Sequence, residues 1–179
     1  MTENERIRRL TAHILRDIRV EVMGDVDENF RRQAFYGEAW PARRSPGRPG
    51  GHLLVDSGNL RRSIRSRTGA DSITFYTDLP YAALHNDGGE ITVTPRMKRY
   101  FWARYYAACG SFGRKKNGDL RGDRRNRRLT AEADFWHAMA LMKTGSVIRM
   151  PARRFLGPHP RLEKAVEQII EEEMERVFQ

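Results

Sequence analysis

The sequence predicts an α+β fold: a small, mainly antiparallel sheet covered by long N-terminal and C-terminal helices, with an inserted helical hairpin. Two observations predict this class. Both ends of the chain carry apolar residues every three or four positions, the period of one helix face. The middle holds short alternating segments typical of strands, interrupted by a second helical pattern. A length of 179 residues suits one domain, so we predict a single domain with an insertion at about residues 95–145.

The N-terminal helix is predicted over about residues 4–34, with Gly24 as a weak point. Its inward face is formed by Ile7, Leu10, Ile14, Ile18, Val22, Val26 and Phe30. Pro and Gly then break regular structure over residues 41–51, where we expect an exposed loop. That loop carries Arg43, Arg44 and Arg48.

The middle of the chain predicts short elements separated by turn residues. In order they are a turn or helix start at 57–60, strands at about 61–68 and 72–77, a short helix ending at 88–89, and a strand around 91–93. A further strand at 146–150 must end at Pro151 or lie at a sheet edge, because Pro151 lacks a backbone donor.

The insertion predicts two helices, one from Pro95 and one over residues 131–142. The aromatic run at 100–106 could stack the bases of a single strand, but we favour packing against Phe135 and Trp136 in a helical hairpin. Residues 111–128 are Gly-rich and basic with almost no apolar side chain, so we expect a mobile loop.

The final helix predicts an apolar face and an acidic face. The apolar face is Leu162, Val166, Ile169, Ile170 and Val177, and the outer face is Glu163, Glu167, Glu171, Glu172, Glu173 and Glu175. Immediately before it, residues 150–157 read as a rigid structural joint. There Pro151 and Gly157 restrict the backbone, Arg153 and Arg154 offer salt bridges, and Phe155 should be buried under the last helix.

Charge is concentrated in two places on a chain whose formal net charge is +10. Residues 42–67 hold seven Arg against Asp56, and residues 114–128 hold eight Lys or Arg against two Asp. A nucleic acid neighbour explains such patches, and a solvated loop or an acidic partner subunit explains them equally well. The candidate DNA-facing residues are Arg114, Lys115, Lys116, Arg121, Arg124, Arg125, Arg127 and Arg128.

No catalytic, cofactor-binding or metal-binding residues are predicted. The five histidines lack metal-ligand spacing, and Cys109 is the only cysteine. His85 and Asn86 could activate and orient water in a nuclease, but we favour a helix-end His and a turn-forming Asn. Residues 78–81 are similar to an adenine methyltransferase motif, yet a turn before a helix explains them. No stretch is apolar enough for a membrane span and the acidic N-terminus is not a signal peptide, so we expect the chain to stay in the cytoplasm where it is made.

Four motifs follow one another along the chain. They are G-x-x-W-P at 37–41, L-x-x-S-G-x-L-x-x-S-I at 54–64, Y-A-x-x-H-N-x-G at 81–88 and P-A-R-x-F-L-G at 151–157. In this order they resemble the phage virion morphogenesis family, the tail-completion or neck proteins of tailed phages, including Mu-like protein G. The resemblance spans roughly residues 4–178.

The resemblance implies a structural protein, not an enzyme, that forms a ring of identical subunits at the head-tail joint of the virion. The implied partners are other head-tail connector and tail proteins, with DNA passing through the lumen and no membrane involved. A ring needs two complementary surfaces, and one subunit's Glu171, Glu172 or Glu175 could meet a neighbour's Arg153, Arg154 or loop arginines. The alternative is a stand-alone basic nucleic-acid-binding protein, and a weaker one is a nuclease.

Overall fold

The computed structural model describes residues 2–44 and 51–178, and these form an α+β fold, as predicted. The helices are α1 (Glu3–Arg32), α2 (Asn59–Ser63), α3 (Ala82–Asp87), α4 (Pro95–Gly110), α5 (Arg124–Leu141) and α6 (Pro160–Phe178). The strands are β1 (Ala34–Phe35), β2 (Glu38–Ala39), β3 (Arg65–Thr68), β4 (Ile73–Tyr76), β5 (Gly89–Thr92) and β6 (Val147–Met150). Arg48 and its neighbours at 45–50 lie outside the described residues.

The strands are antiparallel, as predicted, but within the described residues they form three separate pairs instead of one sheet. The pairs are β1 with β2, β3 with β4, and β5 with β6. Strands of two to four residues offer few ladder hydrogen bonds, so each pair depends on the elements packed around it. The β1–β2 hairpin was not predicted. Its turn places Tyr36 and Gly37 at positive φ, the geometry of a tight hairpin turn.

The chain divides into two compact units. The first unit comprises Met1–Pro41, His52–Gly88 and Pro151–Gln179, and the second comprises Ala42–Gly51 and Gly89–Met150. The second unit contains the segment predicted as an insertion. That the whole chain is a single domain with an insertion at about 95–145 stays a prediction.

The first unit has an aromatic core. Its buried members are Val26, Phe30, Trp40, Leu60, Ile64, Ala82 and Phe155. Phe30 is fully buried and meets the Trp40 ring edge-on at 5.5 Å and the Phe155 ring at 5.1 Å. Leu60 and Ile64 are four residues apart and both enter this core, so residues 59–63 are helical instead of starting the strand predicted at 61.

Helix α1 begins with a capping box in which Thr2 and Glu5 bond each other's backbone amides. Ile7, predicted inward, is about half exposed, and Leu15, which was not predicted inward, is buried. The other predicted inward residues are buried or half-buried. Helix α6 packs against α1.

On α6 the predicted faces need two corrections. Glu173, assigned to the outer face, is 4% exposed, and Ile170, assigned inward, is 40% exposed. Glu173 continues the stripe of Val166 and Ile169 at helical spacing. It ion-pairs with Arg176, and its carboxylate lies 3.7 Å from the His13 Nδ1.

In the second unit α4 and α5 form the predicted helical hairpin. Phe101 stacks on Trp136 at 5.9 Å, and Tyr105 stacks on His137 at 4.8 Å. Arg104 donates to the largely buried Glu132 at 2.8 Å. The second helix begins seven residues earlier than predicted, because Asp123 caps it by accepting the Asn126 amide at 2.8 Å. No helix in the described ranges is long and apolar enough to cross a membrane.

Candidate functional site: the joint segment and the basic tip

The joint segment, residues 151–157, has no regular secondary structure, so its backbone groups need partners elsewhere. The Arg153 amide donates to the His85 carbonyl at 2.8 Å. The Trp40 indole Nε1 donates to the Arg154 carbonyl at 2.6 Å. Two segments distant in sequence therefore hold the middle of the joint.

Asn86 and Asn29 hold the next residues. The Asn86 Oδ1 accepts both the Phe155 amide at 2.9 Å and the Leu156 amide at 3.1 Å. The buried Asn29 of α1 donates to the Phe155 carbonyl at 3.3 Å and accepts the Tyr36 amide at 3.0 Å. Each amide side chain mimics a piece of backbone, so the segment is fixed without a helix or a sheet.

All four sequence motifs meet at this place. The first supplies Trp40, the third supplies Asn86, and the fourth is the joint segment itself. The second contributes Leu60 and Ile64 to the core around Phe155. Phe155 is buried, as predicted, although its aromatic contact is Phe30 of α1.

Arg153 corrects the sequence interpretation. It is 6% exposed, and its Nε donates to the Pro41 carbonyl at 2.9 Å. Arg153 therefore stabilises the protein's own backbone and is unsuited to an ion pair with a neighbouring subunit. Arg154 is exposed, and its guanidinium carbon lies 5.7 Å from the centre of the Phe35 ring. Only the second of the two adjacent arginines therefore faces outward.

His85 is half-buried beside Arg153. Burial, and then the Arg153 charge, lower its pKa below the ordinary imidazole value, and its Nδ1 has no hydrogen-bond partner among the described residues. Asn86 is committed to two backbone amides, so its oxygen is not free to orient water. Within the described ranges no three His, Cys, Asp or Glu side chains gather as a metal site. The geometry favours the structural interpretation of this pair over the nuclease interpretation.

The basic tip, residues 111–128, contains regular structure where the sequence predicted a loop, and its mobility stays a prediction. Its last five residues are the start of α5, and Arg114 and Leu120 form an antiparallel bridge. Asn126, only 4% exposed, organises the turn. Its Oδ1 accepts the Gly113 amide at 2.8 Å, and its Nδ2 donates to the carbonyls of Gly113 at 2.8 Å and Arg121 at 2.7 Å.

The candidate DNA-facing residues are all on the surface. The exposed side chains are Arg114, Lys115, Lys116, Arg121, Arg124, Arg125, Arg127 and Arg128. Glu171, Glu172 and Glu175 of α6 are exposed too. The structure places the acidic set in the first unit and the basic set in the second.

Sequence reasoning missed the roles of three asparagines, Asn29, Asn86 and Asn126. A signal exists for the first, since Asn29 lies on the buried stripe of α1 with Val22 and Val26. An amide on an apolar helix face needs a buried partner. Asn86 has the sequence context of a turn former, and Asn126 stands in a run of arginines that resembles a disordered segment.

A sequence model described as the phage virion morphogenesis family matches residues 4–175, nearly the whole chain. The matched span contains the four motifs, the joint segment and the basic tip. No curated protein and no solved structure gives a significant match.

Proposed function

The chain belongs to the phage virion morphogenesis family, and we propose that it is a neck or tail-completion subunit at the head-tail joint. Membership makes it a virion-associated structural protein. The proposal adds the position in the particle and a ring of identical subunits around the DNA path. It is a non-enzymatic role.

One observation supports the proposal: the four motifs converge on the joint segment, where polar side chains bond the protein's own backbone. Asn29, Asn86 and Trp40 each engage a main-chain group of the joint segment. A catalytic site would instead keep such groups open toward a substrate. A structural subunit of an assembly requires a rigid segment of this kind.

The ring contact is proposed between the acidic face of α6 and an arginine surface of the neighbouring subunit. A head-to-tail ring joins two different surfaces of the same chain. Glu171, Glu172 and Glu175 supply the negative surface, and exposed arginines of the first unit, among them Arg62, Arg67 and Arg154, supply the positive one. Arg153 is excluded from this contact because it is buried.

The test reverses the charge of the acidic face. The triple variant Glu171→Lys, Glu172→Lys, Glu175→Lys should remain folded but lose ring formation and virion incorporation, measured by particle mass and infectious titre. Exposed pairs contribute only about 0.2 to 1 kcal/mol each, so several must be reversed together.

The matched control reverses three exposed acids away from α6, namely Glu21, Glu38 and Asp71. It changes net charge equally and should assemble normally. Normal incorporation of the α6 variant would eliminate this interface, and equal loss in both variants would show a general charge effect.

The basic tip favours a second candidate, a stand-alone nucleic-acid-binding protein. The two candidate functions predict different affinities of the isolated subunit for duplex DNA. A stand-alone binder should bind duplex DNA tightly as a monomer, whereas a ring component should bind in the weak non-specific range, with Kd of about 10⁻⁴ to 10⁻⁶ M at physiological salt, until subunits act together.

A further inference from the structure

We propose that the basic tip binds the phosphate backbone of duplex DNA, independently of base sequence, through its exposed lysine and arginine side chains. This inference goes beyond the ring contact and uses a different surface. The choice of duplex DNA among polyanions rests on the proposed function, because a neck ring surrounds the packaged duplex.

The first argument is the distribution of charge between the two units. The second unit has seventeen Lys and Arg and five Asp and Glu, whereas the remainder of the chain has sixteen and eighteen. The second unit is therefore +12 and the first −2, which together make the +10 of the whole chain. A unit with this imbalance attracts a polyanion, and the imbalance is greatest at its tip.

The second argument is the start of α5. Its first turns carry Arg124, Arg125, Arg127 and Arg128, with no acidic residue in the first turn. The N-terminal end of a helix is partly positive, so cations there oppose the helix dipole, by roughly 0.3 to 1 kcal/mol for each well-placed charge. The Asp123 carboxylate at the N-cap offsets part of this cost, and an external anion would offset more of it.

The third argument is that the tip's own acids do not neutralise it. Asp119 accepts the Asn117 side-chain amide at 2.6 Å, and Asp123 caps α5. No ion pair joins the eight cations of the tip to a carboxylate in the part of the chain that the structure describes.

Several of these cations are fixed in place by backbone carbonyls. Arg114 donates to the Gly118 carbonyl at 2.8 Å, and Arg121 donates to the Arg114 carbonyl at 3.0 Å. A carbonyl orients a guanidinium without cancelling its charge. With Asn126 holding the turn, the tip presents a pre-organised cationic surface, which lowers the entropy cost of binding.

The composition of the tip favours a duplex over a single strand. Single-strand binders stack bases on exposed aromatic rings. The only aromatic residue in the tip is Phe112, which is half-buried. The Lys and Arg side chains of the tip are suited to contacts with phosphates.

The experiment measures binding of a labelled duplex to the isolated protein by fluorescence anisotropy, over about 50 to 200 mM salt. A quadruple variant replaces with Gln four tip cations whose side chains make no hydrogen bond within the described residues. They are Lys115, Lys116, Arg124 and Arg128. If all four contact phosphates, the slope of log K against log salt should become shallower by about 3 to 4, since each phosphate contact contributes about 0.9. Affinity at the lower salt concentrations should fall at least about tenfold.

A matched control removes the same charge from the first unit by replacing Arg8, Arg9, Arg19 and Lys164 with Gln. Its salt slope should match that of the unmodified protein, and both variants should melt as the unmodified protein does. Equal weakening in the two variants, or unchanged binding in the tip variant, overturns the inference. Normal DNA binding with failed assembly would make the tip a protein contact and overturn it too. Because this assay needs no ring, its outcome is separate from that of the α6 charge reversal.

Discussion

At the scale of single residues, the joint depends on side-chain amides placed where backbone groups cannot pair with each other. The Asn86 Oδ1 accepts two successive amides of the joint segment, and Asn29 bonds the carbonyl between them. An unsatisfied buried backbone group costs about 1 to 3 kcal/mol, so each of these side chains offsets a penalty that the irregular segment would otherwise carry.

Phe155 anchors the same segment in the core. Phe155→Ala should reduce the free energy of unfolding by about 3 to 5 kcal/mol and give largely insoluble protein, because the cavity would lie beside Phe30 and Trp40. Urea denaturation of whatever soluble protein remains measures the loss. As a comparison, Ile170→Ala removes an exposed side chain and should change stability by roughly 0.5 kcal/mol or less. Unchanged melting of the Phe155 variant would show that the anchor is misassigned.

His85 makes the joint sensitive to acid. Its pKa is lowered in the folded protein by burial and by Arg153. As pH falls, the unfolded chain therefore binds a proton first, so the stability contributed by the neutral ring is complete above about pH 6.5 and declines below it. The melting temperature should fall more between about pH 8 and pH 5 in the unmodified protein than in His85→Gln. Parallel melting curves for the two proteins across this range would contradict the assignment.

At the scale of elements, helical periodicity predicted α1, α4 and α6 closely, because long amphipathic segments repeat their signal many times. The failures have physical reasons. The β1–β2 hairpin has two residues in each strand, too few for alternation to show. Glu173 has the helical spacing of an inward residue, but its charge suggested the surface.

The candidate site was less predictable than the fold. The motifs identified the joint segment and the importance of Phe155, yet the partners of that segment lie far away in sequence. Asn29 is 126 residues from the carbonyl it bonds, and Asn86 is 69 residues from the first amide it accepts. Local patterns contain no information on such pairings. For the basic tip, composition suggested disorder, but the buried side-chain amide of Asn126 hydrogen-bonds the turn.

Asn126 supplies a test at this scale. The tip offers many Lys and Arg bonds to trypsin, and cleavage requires local opening. Asn126→Ala removes three hydrogen bonds to Gly113 and Arg121, so cleavage within 111–123 should accelerate while the rest of the chain stays resistant. Asp134→Ala, at an exposed position two turns along α5, is the control and should be cut like the unmodified protein. Equal cleavage of all three proteins would mean that Asn126 does not organise the tip.

At the scale of the whole molecule, residues 89–150, the larger segment of the second unit, have their two chain ends paired with each other. Gly89 pairs with Met150, and Ile91 with Ile148, in the β5–β6 ladder. The first unit has its own buried core and its own joint. When the two ends of a segment are adjacent, the segment can be shortened without separating the residues that flank it in the chain.

Excision tests this arrangement. Replacing residues 91–148 by an Asn-Gly turn after Glu90 should leave a soluble protein that retains cooperative unfolding, since Glu90 and Arg149 already face each other across the ladder. Circular dichroism during thermal melting measures this. Aggregation of the shortened chain, with a point variant such as Thr130→Ala remaining soluble, would show that the first unit does not fold without residues 91–148.

If the tip binds DNA as proposed, the start of α5 should open and close in an equilibrium that depends on the bound anion. Its four arginines and the positive helix end repel one another, so this turn should open more readily than the rest of the helix. An anion that binds only the closed turn adds stability with the logarithm of its concentration. Under the proposed DNA contact, amide hydrogen exchange at residues 124–128 would therefore indicate whether DNA is bound. Exchange should be slow when DNA passes through the ring and fast when the ring is empty.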